Sequence, residues 1–136
     1  MSSFKGSVNP CDILVYVDNH LFLIETKSTH KNTFSITDEG FPQYERLKSV
    51  DNLKVNGLHP MLVLWFIEHD KIIAFPIQSV IKMREEDNLK SINIKTYMEY
   101  DHIDIPSKKL RTFMDSNYTC MLEYYKNLDK EKEVKE

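Results

Sequence analysis

Residues 10–27 read PCDILVYVDNHLFLIETK, and three of them could do chemistry together: Asp12, Glu25 and Lys27. Two carboxylates held close repel each other unless a proton or a cation sits between them. Oxygen ligands suit Mg²⁺, which keeps part of its water and also takes substrate phosphate. An amine beside such a centre can orient or deprotonate an attacking water, or meet charge on the phosphate.

Bringing these groups together requires a particular pairing of strands. The apolar runs ILVYV and LFLI flank Asp18-Asn19, a two-residue hairpin turn. With that turn Val17 faces His20, paired residue numbers sum to 37, and Asp12 lies opposite Glu25. Facing side chains in an antiparallel pair have Cβ atoms about 4.5–5.5 Å apart. Alternation puts Lys27 on the face of Glu25 and points Thr26 away. Ile13, Val15, Val17, Phe22 and Ile24 then fill one face, and Leu14, Tyr16, Leu21 and Leu23 the other. Strands apolar on both faces belong inside a sheet covered on both sides. Charged residues at strand ends are commonly a solvated rim. At the end of a covered strand they are costly unless compensated, which favours the metal reading.

The chain has 136 residues, enough for one small domain, with 41% hydrophobic and 29% charged residues. No apolar run approaches the ~18–20 residues of a membrane helix, and MSSFKGSVNP has no apolar signal core. A cytoplasmic location is expected. Cys11 and Cys120 make neither a metal-type spacing nor a disulfide framework, and Cys11 reads as a packed thiol. The net charge of −3 argues against a purely electrostatic nucleic-acid coat but allows a local basic loop, KSTHKN after Glu25. The terminal KNLDKEKEVKE reads as a solvated helix end or frayed terminus.

Further along, 28–37 reads as a polar loop containing Phe34 and Ile36. Residues 38–50 read as a helix with Pro42 in its first turn. Gly57 and Pro60 mark a loop. MLVLWFIE at 61–68 and KIIAFPI at 71–77 form a hairpin across His69-Asp70. A short helix follows at 79–86, then a helical turn and an extended piece within 91–106. From about 112 an amphipathic helix carries Phe113, Tyr118, Met121, Leu122, Tyr125 and Leu128. The order β-β-α-β-β-α-α predicts an α/β fold, a mixed sheet flanked by helices.

Pro10-Cys11-Asp12, thirteen residues from Asp12 to Glu25, and Glu25-Thr26-Lys27 resemble the PD-(D/E)xK nuclease superfamily. FKGSVNPCDILVYVDNHLFLIETKSTHKNTFSITDEGFPQYERL is similar to the central block of RecU-type Holliday junction resolvases. That block has an Asp opening a Val-Tyr strand, an acidic-x-Lys strand end, a Thr/Asn/Lys loop, and a Gln nine residues beyond a Phe, as Phe34 and Gln43 stand here. MLVLWF…KIIAFPI and KSINIKTYMEYDHIDIP resemble the family's later segments, so the likeness runs from about Phe4 to Leu128. It implies a restriction-endonuclease-like core in a single domain over 1–128, with 129–136 a charged tail.

The resemblance implies that Asp12 and Glu25 bind one or two Mg²⁺ ions, that Lys27 is catalytic, and that Gln43 lies near the site. It implies Mg²⁺-dependent cleavage of four-way DNA junctions in recombination and repair by a homodimer, with other recombination proteins as further partners. The family's N-terminal helix, first strand and basic stalk have no counterpart here, so the expected form is N-terminally truncated, with part of the apolar set on the first two strands poorly covered. The alternatives are a non-catalytic remnant that binds DNA or a recombination partner, and a PD-(D/E)xK nuclease acting on ordinary duplex. Lys31 and His30, in the loop after Lys27, are the expected phosphate contacts, Lys31 the better because its charge is constant near neutral pH. His20, His59, His69 and His102 share no ligand spacing and read as ordinary surface histidines. Trp65 and Phe66 face opposite ways, at least one into the core. Tyr124 and Tyr125 read as a core or dimer contact.

Overall fold

The computed structural model describes residues 12–106 and 119–135. Strands β1 (Ile13–Val17) and β2 (His20–Thr29) meet at Asp18 and Asn19. Both turn residues have positive φ, 49° and 65°, which matches the right-handed twist of a tight hairpin. The register runs from Val17 opposite His20 to Ile13 opposite Ile24, as the spacing predicts.

Strand β2 runs two residues beyond Lys27, and the polar loop expected after it contains a strand, β3 (Thr33–Ser35). It pairs antiparallel with β6 (Ser91–Asn93) in a small second sheet, Phe34 opposite Ile92. The loop reading failed because Phe34 and Ile36 are both buried and pull this segment onto the core. Helix α1 (Tyr44–Asp51) starts later than expected and leaves Pro42 in the preceding turn.

Strand β4 (Leu58–Phe66) lies parallel to β2 and antiparallel to β5 (Lys71–Pro76), across a 3₁₀ turn at Ile67–His69 and a left-handed Asp70. Pro60, expected in a loop, is inside β4. The Leu21 N–H donates to the Gly57 carbonyl. That phase turns the amide position of Pro60 toward the β5 side, and pairing with β5 begins only at Met61, so the missing N–H leaves no gap in the ladder. Helix α2 (Ile77–Ile81) widens into a π turn at Lys82–Glu86, and β7 (Ile103–Ile105) pairs with β5. Helix α3 (Thr119–Lys135) carries the mixed-charge terminus. Cys11, Phe113 and Tyr118 lie outside the described residues.

The chain is thus α/β, with a five-stranded mixed sheet, order β1-β2-β4-β5-β7, flanked by helices. One face packs Leu23, Leu62, Leu64, Ile73 and Phe75 against Tyr44 and Leu47 of α1 and against α2. The other packs Phe22, Ile24, Met61, Val63 and Ile72 against Met121, Tyr124 and Tyr125 of α3. Phe66 is fully buried and Trp65 packs against the second face. Cover on both sides stops at β1, where part of the apolar set is poorly covered, as the lack of the family's upstream block led us to expect. Ile13, Val15 and Val17 pack on the α3 side, but Leu14 is 63% and Tyr16 69% exposed. Among the described residues, β1 is an edge strand and nothing packs over its α1-side face. No helix among the described residues is long and apolar enough to cross a membrane.

Gly57 has φ +81°, and a Cβ there would fall 2.5 Å from the Asn19 carbonyl oxygen. Only glycine lets the start of β4 press against the β1–β2 turn. Gly57→Ala should therefore lower stability by about 2 kcal/mol, read as a lower denaturation midpoint with an unchanged urea m-value.

Candidate active site

Glu25 and Lys27 occupy alternate positions of β2 and share the α1-side face with Leu23. Glu25 sits in the sheet between β1 and β4, opposite Leu62, and is only 3% exposed. Lys27 is partly exposed and its Nζ lies 3.5 Å from Glu25 Oε2. Burial, and secondly the negative charge of Asp12, push the Glu25 carboxyl up to about 7; Lys27 pulls the other way without restoring the ordinary value.

Asp12 reaches this site by a route the spacing does not predict. The ladder ends at Ile13–Ile24, and the Asp12 N–H donates to the Ile24 carbonyl at 3.0 Å. Asp12 and Ile13 therefore share Ile24, a bulge-like bend in place of direct opposition to Glu25. One carboxylate oxygen of Asp12, Oδ2, accepts from the Thr26 N–H at 3.1 Å and from Thr26 Oγ1 at 3.0 Å. Thr26, expected to point away from the site, instead anchors Asp12 through its N–H and its hydroxyl.

Gln43 stands immediately before α1 on the same side of the sheet, and its carbonyl accepts from the Leu47 N–H. Its Oε1 is buried and has no hydrogen-bond partner among the described residues. An acceptor of this kind usually answers to a ligand or a water. His30 is exposed and its Nδ1 lies 3.0 Å from Glu68 Oε2, so an acidic group competes with any phosphate there. Lys31 is exposed; its backbone N–H donates to Thr29 Oγ1. Asn32 bonds His69 at 2.7 Å, tying this loop to the β4–β5 turn.

Two carboxylates on adjacent strands, one buried and hard to ionise alone, form an oxygen donor set that a hard dication would relieve. Among the described residues no group of three or more His, Cys, Asp or Glu converges to hold a metal. Two protein carboxylates with water and phosphate oxygens in the remaining positions is the coordination Mg²⁺ favours. The residues present therefore fit that ion.

Sequence reasoning missed one cluster entirely. Parallel pairing of β2 and β4 brings His20 and His59 together, Nδ1 of one 2.8 Å from Nε2 of the other. His20 is 8% exposed, so it is not a surface histidine. Nothing in the spacing signals this, because it depends on which strand β2 pairs with. His102, also expected at the surface, packs edge-on against Tyr97.

No protein-family model matches the sequence, and no curated protein is significantly similar to it. The geometry therefore carries the functional reading.

The raised Glu25 pKa has a definite pH signature. The folded value, about 7, exceeds the unfolded value of 4.5. Ionised Glu25 thus costs nothing below pH 4.5, and its penalty grows as pH rises to 7 and then levels off. Without metal, Glu25→Gln should leave stability unchanged near pH 4.5 and raise it at pH 8 by up to about 3 kcal/mol, at about 1.4 kcal/mol per pKa unit. Urea denaturation at the two pH values measures the difference.

Proposed function

We propose that the chain is a Mg²⁺-dependent, structure-specific endonuclease of the RecU-like type, with a restriction-endonuclease-like core, that cleaves four-way DNA junctions in recombination and repair. The observation that carries this reading is the approach of Asp12, Glu25 and Lys27 at one end of the β1–β2 pair, with Glu25 buried and held away from easy ionisation. A buried carboxylate raised toward neutrality beside a second carboxylate and an amine is the pattern of a functional site.

Asp12 and Glu25 would hold the ion. When bound, Mg²⁺ supplies a water of lowered pKa and positive charge against the scissile phosphate. Thr26 fixes one Asp12 oxygen through two hydrogen bonds and so holds the carboxylate that would ligate the ion. Lys27, 3.5 Å from Glu25, orients the attacking water or donates to a phosphate oxygen. Gln43, with its orphaned Oε1, is a positioning residue for water or substrate on the same face. Lys31, and His30 when it leaves Glu68, meet the DNA backbone. The exposed edge of β1 with Leu14 and Tyr16 offers an apolar strip for a second copy, consistent with a homodimer making one nick per subunit.

The test is cleavage of a labelled four-way junction and of linear duplex at matched salt, with Mg²⁺-dependent thermal stabilisation measured in parallel. Asp12→Asn should abolish both the stabilisation and the cleavage. Lys27→Ala should keep the stabilisation and lose about a hundredfold or more of the rate. Equal cutting of linear duplex would assign a different substrate. Mg²⁺ stabilisation without any cutting would favour a non-catalytic DNA- or partner-binding role. If Mg²⁺ stabilises Asp12→Asn as well as the wild type, the site assignment is wrong.

A further inference from the structure

At one end of the sheet, the starts of β2 and β4, the end of α1 with the loop after it, and the middle of α3 frame a cleft of about 900 Å³. The His20–His59 pair lies in its wall, and each ring is held from behind. The far nitrogen of His20, Nε2, lies 3.6 Å from Asp129 Oδ2 on α3. His59 is stacked on Tyr125, with ring centroids 3.7 Å apart. Lys126 pairs with Asp18 at 2.7 Å and fixes that turn of α3 against the hairpin. The two facing nitrogens are thus aimed at each other from paired neighbouring strands, with α3 packed behind both rings.

We propose that His20 Nδ1 and His59 Nε2 bind a borderline transition-metal dication, Zn²⁺ or an ion of similar preference, in a site separate from Asp12 and Glu25. Imidazole nitrogens suit such ions, whereas Mg²⁺ prefers oxygen. Asp129 on the remote nitrogen of His20 is the outer carboxylate that orients a metal-bound histidine and fixes its tautomer. Zn–N bonds of about 2.0–2.1 Å at a tetrahedral angle need the nitrogens roughly 3.3 Å apart. The 2.8 Å pair opens by about half an ångström to admit the ion, within the play of two side chains lining a cleft. Without metal one proton bridges the nitrogens. With metal each ring carries its proton on the outer nitrogen, His20 toward Asp129 and His59 on Nδ1, so a neutral pair loses no proton overall. No third His, Cys, Asp or Glu completes a cluster among the described residues. The remaining positions therefore open to the cleft for water or a small anionic ligand, as at an open rather than a closed zinc centre. Asp51 and Asp18 also line the cleft, but Lys54 lines it with them and Asp18 is already paired with Lys126, so the histidine nitrogens and not the lining charge carry the site.

The test is titration of the metal-free full chain with Zn²⁺ alone, carried out in excess Mg²⁺ and repeated on Asp12→Asn so that the carboxylate site is not read by mistake. One Zn²⁺ should bind per chain at micromolar concentration and raise the melting temperature in both proteins. His20→Gln and His59→Gln should each abolish the effect, and Asp129→Asn should weaken binding about tenfold. Ring-nitrogen NMR of the wild type does not depend on variants folding. Zn²⁺ should move the His20 Nδ1 and His59 Nε2 resonances by tens of ppm and leave the outer nitrogens protonated. Unmoved ring nitrogens, or an equal melting shift in the His20→Gln/His59→Gln double variant, would overturn the proposal.

Discussion

Glu25 is a carboxylate that the sheet buries without fully neutralising. It lies just past the end of the β1 ladder, with β4 on the other side and Lys27 as its cation at 3.5 Å, and burial still pushes its carboxyl up to about 7. A core of this size could hold a leucine there at less cost. The strand register and the bend at Asp12 leave this carboxylate covered, with Asp12 and the partly exposed Lys27 beside it. Its ionisation cost is the energetic demand that a bound cation would meet.

Much of this was legible from residues. The Asp18-Asn19 turn fixes the β1–β2 register, because a slip of one residue would turn every apolar side chain to the wrong face. The apolar runs of β4 and β5 and the helical spacing of Tyr44 and Leu47 place the central layers. The convergence of Glu25 and Lys27 follows from alternation alone. The bend at Asp12 does not follow, since a bulge at a strand end leaves no trace in hydrophobic pattern. Thr26 was misplaced for the same reason: its hydroxyl is useful to Asp12 only after that bend. β3 was missed because three residues paired with a segment nearly sixty positions away carry no periodicity of their own.

The histidines show the same limit on the other face. His20 and His59 are thirty-nine residues apart, and only the parallel pairing of β2 with β4 makes them neighbours. That pairing rests on Gly57, whose positive φ lets β4 begin against the hairpin turn. One backbone position thus serves both faces: it aligns β4 beside Glu25 and brings His59 to His20. The sheet carries an oxygen-rich site facing the α1 side and a nitrogen pair facing α3, chemistries that prefer different ions.

The central claim, that Glu25 and Asp12 form a cation site whose cost is relieved by Mg²⁺, is tested most directly by the side-chain carboxyl ¹³C shift of Glu25 as a function of pH. Without metal Glu25 should titrate near 7, and in saturating Mg²⁺ it should remain ionised to below about pH 5, because the ion binds only the carboxylate form. A Glu25 that titrates near 7 with and without Mg²⁺, or near 4.5 in both, would contradict the account.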